Sequence, residues 1–545
     1  MKKRVYLFSL SVLSLFTFCT NHDDSATNDQ ATNNNIEINS DVTALNKRLD
    51  YTNSGVISIT GSSASTAKLF NSAQSSATDF PLVQIAEVNP PKDNSGRTLQ
   101  ASHVAVNGNY AYVAYTMSGE AYSGAIDVID VSDPYKPKLI TSALIANTDI
   151  TSLTYSNGSL IIGAAADIDK NSTLKSPAIV INMPLSSGML TDKYTTTNVE
   201  GYVTTDVTSN SGSYFAVTGD QGSLFKINAA SKAISGKVAV EDLRSVAISG
   251  DKVVTLSGTK GVNIYNESTL ALQKSFTTST DVKASKRTID FDGTKLLVSE
   301  GYKGLGVYDI NSGSKLQTIP LAVAGEENVT NALSVNDGYA FVANGAAGLN
   351  VYKTGAQLGL LGTVDILGSS NYVKSSGNFI YVASGKGGLK IIKMEKPNTT
   401  FDGCTGYGIY NQGQNLILNS NEVKSYSGAT SISSAIINSG AVLTHCGSIT
   451  VQNNLTLNSG GTFNMKGTLS QGKYGQSNPT ELIINSNAVL QVEGTVVIWG
   501  DVRLNSGAKI NFIGNNSSIT IYGKVTKNSN VTITGNYKDT ENKLK

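Results

Sequence analysis

The chain has 545 residues, of which 15% are charged, while Gly occurs 52 times and Pro only 10 times. Lys and Arg number 42 against 41 Asp and Glu, so the net charge of +1 provides no basic field to hold nucleic acid. Three His and three Cys leave little material for a metal site or for imidazole catalysis, and we predict neither a metal nor a cofactor.

Residues 1–19 form a targeting segment and not part of the fold. A basic start, residues 2–4, precedes an apolar run, Val5–Phe18, that is too short to span a membrane comfortably. The run stops at Cys19, and the acidic pair Asp23–Asp24 follows closely. This pattern resembles a bacterial lipoprotein signal of the Bacteroidetes type, although a bulky Phe stands before the Cys where a small residue is usual.

The resemblance to a lipoprotein signal implies that Cys19 is acylated after cleavage. The protein would then be anchored in the bacterial outer membrane by lipid, facing the cell exterior. An ordinary secretory signal with an incidental Cys is the alternative.

Residues 20–79 are rich in Ser, Thr, Asn and Ala and poor in aromatic residues. Such a composition buries too little apolar surface to offset the entropy of ordering, so we predict a flexible polar tether. Within it, residues 56–60 alternate apolar and polar side chains and are compatible with an isolated strand.

Residues 80–397 contain seven copies of one pattern. Each copy has a polar turn with Gly, a short β-rich run, a second Gly-rich turn and another β-rich run, most clearly at Asn336–Tyr352 and Ser376–Ile392. The intervals between turn glycines, 38 to 54 residues, suit four-stranded blades. We therefore predict an all-β chain whose first domain is a seven-bladed β-propeller. The turn glycines are Gly108, Gly158, Gly212, Gly250, Gly293, Gly338 and Gly377.

The first copy carries a recognisable motif. Residues 126–131 read Ile-Asp-Val-Ile-Asp-Val, and an Asp-Pro turn and Pro137 follow. This segment resembles the LVIVD repeat of bacterial surface propellers, with weaker versions at Gly304–Ser312 and Gly348–Gly355. The resemblance covers about residues 80–395. It implies a propeller at a cell surface and carries over no catalytic residue.

The ends of the repeat region suggest how the ring closes. The last copy finishes at Gly388–Met394 without an outer strand of its own. Phe80–Val88, ahead of the first copy, looks like the outer strands at Pro137–Ala143 and Leu358–Val364. We predict that residues 81–88 supply the fourth strand of the seventh blade, which covers a sheet edge and locks the circle.

The pattern changes after Pro397. Asn-Ser-Gly or Asn-Ser-Asn recurs every 19 to 27 residues, with short alternating strands between. A period near 20 predicts a parallel β-solenoid over residues 398–545, with Asn and Gly at the bends and stacked amides in ladders. The region resembles β-helical segments of surface adhesins and polysaccharide-active proteins, and a Greek-key sandwich is the rival fold. The repeated Asn residues are Asn419, Asn438, Asn458, Asn485, Asn505 and Asn528.

Cys404 and Cys446 lie 42 residues apart, about two coils of such a solenoid. Two stacked coils separate equivalent positions by about 9–10 Å, more than the ~7 Å between Cα atoms that a disulfide spans. A disulfide therefore requires Cys404 to lie in a cap beside the coil of Cys446, which the Gly-rich stretch Gly403–Gly408 permits. Two buried free thiols are the alternative.

Charged residues recur in the propeller loops that lead into the innermost strands. Because propellers bind ligands where loops converge near the axis, these residues are candidate ligand contacts. Solvated turn residues and ion pairs between blades are the alternative. The candidates are Arg97, Glu241, Asp242, Arg244, Arg287, Glu326 and Glu327.

The solenoid offers one further candidate site. Trp499, Asp501 and Arg503 are predicted to share one strand face, where an exposed Trp would stack on a sugar ring. A core position for Trp499 is the alternative.

The sequence contains no nucleophile elbow, P-loop or EF-hand loop. We therefore expect a surface-anchored binding platform for a glycan, a peptide or a partner protein, without chemistry of its own and without nucleic acid. The competing hypotheses are a carbohydrate-active enzyme, either hydrolase or lyase, and a structural component of an envelope complex.

Overall fold

The computed structural model describes residues 28–29, 36–57, 59, 80–279, 285–321, 325–398 and 400–544. Cys19, on which the anchor prediction depends, lies outside them. The described residues form an all-β fold with one short α-helix and one 3-10 turn. None of their helices is long and apolar enough to cross a membrane.

An N-terminal arm precedes the propeller. Its elements are strand β1 Asn28–Asp29, strand β2 Ile36–Asn39, helix α1 Val42–Leu45, a 3-10 turn Asn46–Arg48, and strands β3 Leu49–Asp50 and β4 Gly55–Ile57. Strand β5, Leu82–Val88, follows and belongs to the ring.

Seven antiparallel sheets form the blades, as predicted. Blade 1 contains β6 Gln100–Asn107, β7 Tyr110–Thr116, β8 Ser123–Asp130 and β9 Lys138–Ala146, and blade 2 contains β10 Thr148–Ser156, β11 Ser159–Ala166, β12 Ala178–Pro184 and β13 Thr195–Asn198. Blade 3 contains β14 Thr204–Ser209, β15 Ser213–Thr218, β16 Ser223–Asn228 and β17 Ile234–Ala239. Blade 4 contains β18 Leu243–Ser249, β19 Lys252–Ser257, β20 Gly261–Asn266 and β21 Leu272–Phe276. Blade 5 contains β22 Ile289–Asp292, β23 Lys295–Ser299, β24 Leu305–Asp309 and β25 Lys315–Ile319. Blade 6 contains β26 Ala332–Asn336, β27 Tyr339–Ala343, β28 Leu349–Lys353 and β29 Gly359–Val364. Blade 7 contains β30 Tyr372–Ser376, β31 Phe379–Ala383 and β32 Leu389–Met394, with β5 as its fourth strand.

The turn after each innermost strand explains the recurring glycines. Gly108 and Gly377, for example, have φ values of 56° and 58°, in the left-handed region that a residue with a Cβ rarely adopts. The third blade differs, because its turn is one residue longer and the Asn210 side chain accepts from the backbone N–H of Gly212 at 2.9 Å. These tight turns hold the first two strands of each blade in register.

The middle strands of the blades are buried on both faces, which is why they read as runs of Val, Ile, Leu and Ala. Between blades 5 and 6, for example, Leu297 and Val307 pack against Leu333 and Val342. Each such side chain contributes roughly 1.5–3 kcal/mol through burial. The propeller core is therefore a ring of interfaces between blades.

We distinguish two faces of the ring. The top face carries the connections from the outer strand of one blade to the innermost strand of the next, together with the hairpins between second and third strands. The bottom face carries the tight glycine turns and the connections from third to fourth strands. This distinction places every candidate site below.

Strand β5 closes the ring as predicted. It pairs antiparallel with β32 from Leu82↔Met394 to Val88↔Leu389. Within the blade, Glu87 forms an ion pair with the buried Lys390. The last sheet is thus built from both ends of the propeller sequence.

The structure corrects the tether prediction for residues 36–57. Strand β2 pairs with β9 on the outer edge of blade 1, whereas β3 and β4 both pair with β5 on the outer edge of blade 7. The polar composition does not predict this order, because the short strands are held by backbone hydrogen bonds to sheet edges. They therefore need only a few buried apolar side chains, such as those of Leu45 and Val56.

Arg48 joins the first and last blades. Its guanidinium donates to the carboxylate of Asp127 in blade 1, one bond measuring 3.0 Å. Its Nε donates to the backbone carbonyl of Asn89, directly after β5 in blade 7, at 2.9 Å. The arm therefore acts as a staple across the junction where the ring closes.

The C-terminal domain is the predicted parallel β-solenoid of about six turns. One sheet contains β33 Asn415–Leu418, β35 Ser434–Ile437, β37 Leu455–Leu457, β39 Glu481–Ile484, β41 Asp501–Leu504 and β44 Val525–Lys527. The other contains β34 Val423–Ile432, β36 Val442–Val451, β38 Thr462–Gln471, β40 Val489–Ile498, β42 Lys509–Phe512, β43 Ser518–Ile521, β45 Thr532–Thr534 and β46 Lys538–Asp539.

An asparagine ladder runs along one bend of the solenoid. Asn458 donates to Asn438 at 2.8 Å, Asn485 to Asn458 at 3.2 Å, and Asn505 to Asn485 at 2.7 Å. Each amide donates to the coil before it and accepts from the coil after it. The repeated Asn thus satisfies its own side chain while it fixes the stacking of the coils.

The disulfide forms. Cys404 and Cys446 are bonded, with Cα atoms 5.9 Å apart. Cys404 precedes the first strand of the solenoid and lies in a cap, which is the placement that the coil spacing requires. A closed loop of this length stabilises the fold by roughly 4 kcal/mol through the entropy of the unfolded chain.

The solenoid docks on the bottom face, against blades 7 and 1. Glu395, directly after β32, accepts from Tyr135 of blade 1 at 2.8 Å and from Ser470 of the solenoid at 3.1 Å. Lys393 completes this buried network as the ion-pair partner of Glu395. Because buried polar groups are costly unless fully paired, the network favours a single orientation of the two domains.

The staple gives a testable prediction. Replacing Arg48 with Met should lower the free energy of unfolding of the propeller by about 3 kcal/mol, because Asp127 would remain buried without its cation. Chemical denaturation would measure the shift. The control variant Lys252→Met removes only a surface pair with Asp251 and should leave the transition nearly unchanged. Equal transitions for the two variants would contradict the role of Arg48.

Candidate functional site

The innermost strands of the seven blades surround a central cavity of about 330 Å³. Counting back from each turn glycine shows how it is built. The residue five positions earlier, or six in the longer turn of blade 3, forms a buried floor. The floor layer consists of His103, Leu153, Asp206, Ser245, Thr288, Leu333 and Tyr372.

Two residues further along the innermost strands lies a second layer, which we call the cup. Its lining residues are Ala105, Tyr155, Thr208, Ala247, Asp290 and Lys374. All of these except Ala105 are half-exposed, whereas the whole floor is buried. The cavity is therefore closed at the floor and opens towards the glycine turns of the bottom face.

Asp206 organises the floor. Its carboxylate accepts from Ser152 at 2.6 Å, from Ser245 at 2.8 Å and from the backbone N–H of Val246 at 3.0 Å. These donors come from blades 2 and 4, on either side of blade 3. One carboxylate thus ties three neighbouring blades at the channel.

His103, Ser152 and Asp206 lie together as in a hydrolytic triad, but their hydrogen bonds run the wrong way. The backbone N–H of Leu153 donates to His103 Nδ1 at 3.2 Å, which assigns the ring proton to Nε2. Nε2 then donates to Ser152 Oγ at 3.3 Å, and Ser152 donates to Asp206. A base must accept the proton of its nucleophile, so His103 in this tautomer cannot activate Ser152.

Burial reinforces this assignment. It holds the pKa of His103 well below its usual value, and the nearby cations Lys286 and Lys374 act in the same direction. The imidazole stacks on the ring of Tyr372, with ring centres 4.0 Å apart. His103 is therefore a neutral structural link between blades 1, 2 and 7.

Lys286 crosses the channel above the floor. It starts from the top-face loop before blade 5 and donates to the carbonyl of Thr151 in blade 2 at 2.6 Å. Its ammonium also lies 5.2 Å from the ring centre of Tyr372. Desolvation lowers the pKa of Lys286 to about 8, against the opposing effect of Asp206. This side chain separates the cavity from the top face.

All seven charged candidates in the propeller lie on the top face or directly below it, and none lines the cavity. Several are structural, in line with the alternative interpretation. Asp242 pairs with Arg244 at 2.7 Å, and Arg97 pairs with Asp93 at 2.6 Å. Arg287 is 1% exposed and donates to the carbonyl of Ser299, so it is not available as a ligand contact.

Besides Arg97, three candidates are exposed on the top face. Glu241 faces Lys260 at 3.4 Å, while Glu326 and Glu327 lie in the loop that enters blade 6. The hydroxyl of Tyr302, in the hairpin of blade 5, donates to the backbone carbonyl of Glu326 at 3.3 Å. These acids surround the channel without reaching into it.

Exposed apolar side chains share this face. Within the described part of the propeller, every loop residue among the exposed large hydrophobics belongs to a top-face connection, whereas Leu272 and Leu316 lie on outer strands. The top-face residues are Ile168, Tyr202, Tyr302 and Leu367. Aromatic residues are enriched in the buried centre of protein interfaces, and the rim around that centre is polar.

The sugar-stacking prediction in the solenoid is wrong. Trp499 is 0% exposed and stacks on Tyr522, with ring centres 4.2 Å apart, at the interface with the propeller. Asp501 accepts from the backbone N–H of Lys524, and Arg503 pairs on the outside with Glu481. The three residues do not share a face because the bend after β40 places Trp499 in the domain interface.

Sequence reasoning missed the residues that line the cavity, above all Asp206, Asp290, Tyr372 and Lys374. Loop charge drew attention to the top face, yet these side chains belong to strands. Each layer of the cavity lies at an offset from the turn glycine that repeats from blade to blade, and this repetition is the signal that could have found them.

Two segments, residues 100–144 and 367–393, match the family model of the LVIVD repeat. They correspond to blade 1 and to most of blade 7. No curated protein matches the chain significantly. The chain thus carries LVIVD repeats in a seven-bladed propeller, an architecture compatible with a binding platform.

Solved structures show only a distant likeness. The WD40 propeller domain of Doa1 has a TM-score of 0.43 and 12% identity, covering 58% of this chain and 97% of that one. The WD40 repeats of RRP9 have a TM-score of 0.43 and 14% identity, covering 55% and 96%. The designed protein Ika8 has a TM-score of 0.37 and 12% identity, covering 62% and 99%. These values add nothing to the assignment of the site.

The state of His103 can be tested through pH. Because folding lowers the pKa of its imidazole, the unfolded chain takes up a proton near pH 6.5 that the folded chain does not. The stability that His103 contributes is present above about pH 6.5 and is lost as the pH falls below it. The variant His103→Gln should show a shallower loss of stability between about pH 7 and 5. Identical pH profiles would contradict a neutral buried His103.

Proposed function

We propose that this protein is a binding platform on the bacterial cell surface, anchored to the outer membrane through acylated Cys19. Its ligand is a peptide or a partner protein that binds the top face of the propeller. The platform carries no chemistry of its own. The observation that carries the proposal is the concentration of exposed aromatic, aliphatic and acidic side chains on this one face.

The position of the solenoid supports the choice of face. It occupies the bottom face at blades 7 and 1, held by the buried contacts of Glu395 and by a hydrogen bond from Tyr522 to the carbonyl of Tyr135 at 2.6 Å. A macromolecule can therefore approach the top face without meeting the second domain. Because the docking is fixed, the solenoid and the propeller keep one orientation relative to each other.

The apolar groups favour a peptide or a protein over a glycan on this face. Tyr202, Tyr302 and Leu367 belong to the connections of different blades, so they present separate apolar anchors around the ring. Interface hot spots are enriched in such aromatic anchors within a polar rim. Glu241, Glu326 and Glu327 supply that rim.

The absence of chemistry is supported by the direction of the hydrogen bonds in the floor. His103 donates towards Ser152 and cannot serve as its base. No observation in the described residues favours a hydrolase, a lyase or an envelope scaffold over a binding role.

Anchoring should depend on Cys19. Cells expressing the variant Cys19→Ala and labelled with a fatty-acid probe should show no labelled protein, because the acylated sulfur is gone. The wild type in the same host is the control. Fatty-acid label that persists on the variant protein would contradict lipid anchoring through Cys19.

The top-face partner can be tested by site-specific photo-crosslinking in the native host. A photoreactive residue at Leu367, which is 71% exposed on the top face, should give a discrete adduct. The matched position is Asp251 on the bottom face, with a side chain that is 71% exposed, and it should give none. The substitution Tyr302→Ser should weaken the adduct at Leu367. No adduct at Leu367, or equal adducts at both positions, would refute the proposal.

A further inference from the structure

The cup in the central channel contains two opposite charges that do not meet. Asp290 comes from blade 5 and Lys374 from blade 7, at equivalent positions of their innermost strands. Lys374 lowers the pKa of Asp290, which burial raises more strongly. In the part of the chain that the structure describes, Asp290 and Lys374 nevertheless form no ion pair with each other. No hydrogen bond among these described residues involves the Lys374 ammonium.

The remaining hydrogen-bonding capacity of this pair can be counted. Asp290 accepts one backbone N–H on each carboxylate oxygen, from Phe291 at 2.8 Å and from Val335 at 2.8 Å. A carboxylate has about four acceptor sites, so about two remain. Lys374 has three donors. A group placed between them must donate to Asp290 and accept from Lys374, and a hydroxyl does both.

The walls of the cup suit a ring with polar edges and apolar faces. The half-exposed rings of Tyr155 and Phe291 line the cavity from blades 2 and 5. Thr154 and Thr208 add neutral hydroxyls. A cavity of about 330 Å³ lies at the lower end of the range for small-ligand sites.

We propose that the cup is a binding site for a neutral sugar of monosaccharide to disaccharide size. Neighbouring hydroxyls of the sugar bridge Asp290 and Lys374, and its C–H face packs on Tyr155 or Phe291. A neutral ligand is favoured over a zwitterion such as a free amino acid, because a zwitterion would bring two further charges out of water. The site lies beyond the buried floor from the top face and does not depend on the partner proposed there.

The test uses the full chain and a panel of free sugars: glucose, galactose, mannose, fucose, xylose, N-acetylglucosamine and their common disaccharides. Titration calorimetry and ligand-observed NMR at sugar concentrations up to about 50 mM cover the millimolar affinities expected of a site this small. At least one neutral sugar should bind. Free amino acids, assayed in parallel, should not.

Two variants locate the binding. Lys374→Met removes the charge of a side chain that makes no hydrogen bond among the described residues, and it should weaken binding about tenfold or more. Ala247→Phe fills the cup from blade 4 without altering either charge and should abolish binding. Lys252→Met, which removes a surface lysine outside the cup, is the matched control and should bind as the wild type does. Thermal unfolding checks each fold, and if one cup variant fails to fold the other decides.

Three results would overturn the proposal. They are no binding by any sugar in the panel, binding that survives in the folded cup variants, and binding of amino acids alone. None of them bears on the crosslink at Leu367, so a failure here is distinguishable from a failure of the proposed top-face partner.

Discussion

Closure of the ring between the first and the last blade is the constraint on which the rest of this molecule depends. A propeller has no covalent circle, and in this chain a strand from the other end of the repeat region completes the last sheet. Strand β5 does this with a ladder from Leu82 to Val88 along β32. Opening this ladder would expose two sheet edges and release the packing between blades 7 and 1.

The arm and the solenoid both gather at this junction. The arm pairs with the outer edges of blades 1 and 7, and Arg48 links Asp127 to the carbonyl of Asn89. Its backbone also meets the solenoid, since Val56 donates to the carbonyl of Gly472 at 2.9 Å. The weakest point of the ring is thus covered from outside by the arm and from below by the second domain.

Seven-fold repetition also builds the channel, but it does not fill it symmetrically. Each innermost strand places one side chain in the floor, and the strands of all blades except blade 6 place another in the cup, at offsets set by the turn. The backbone repeats while the side chains differ. In the floor, His103 stacks on Tyr372 and is linked through Ser152 to Asp206. In the cup, Asp290 and Lys374 form no ion pair among the described residues. The first set holds blades together, whereas the second leaves hydrogen-bonding capacity unused among the described residues.

The sequence by itself determined the elements that depend on local chemistry and on period. Turn glycines set the number of blades, the Asn-Ser-Gly repeat set the solenoid, and the strand character of residues 81–88 identified the closing strand. The spacing of the coils also indicated that Cys404 and Cys446 could bond only if Cys404 lay in a cap beside the coil of Cys446. The structure places Cys404 in such a cap. These inferences succeed because a β-turn or a stacked coil needs the same residue types wherever it occurs.

Only the tertiary structure decided which side chains are exposed and which meet. Residues 36–57 have the composition of a linker and become ordered because open blade edges lie within reach. Trp499 has the type of a sugar-stacking residue and is buried because a second domain covers it. Arg287 stands in a charged loop and is nevertheless buried. Asp206, Asp290 and Lys374 lie far apart in the sequence and converge only when the ring is closed. Burial and convergence depend on surfaces contributed by distant segments, and a local pattern carries no information about these.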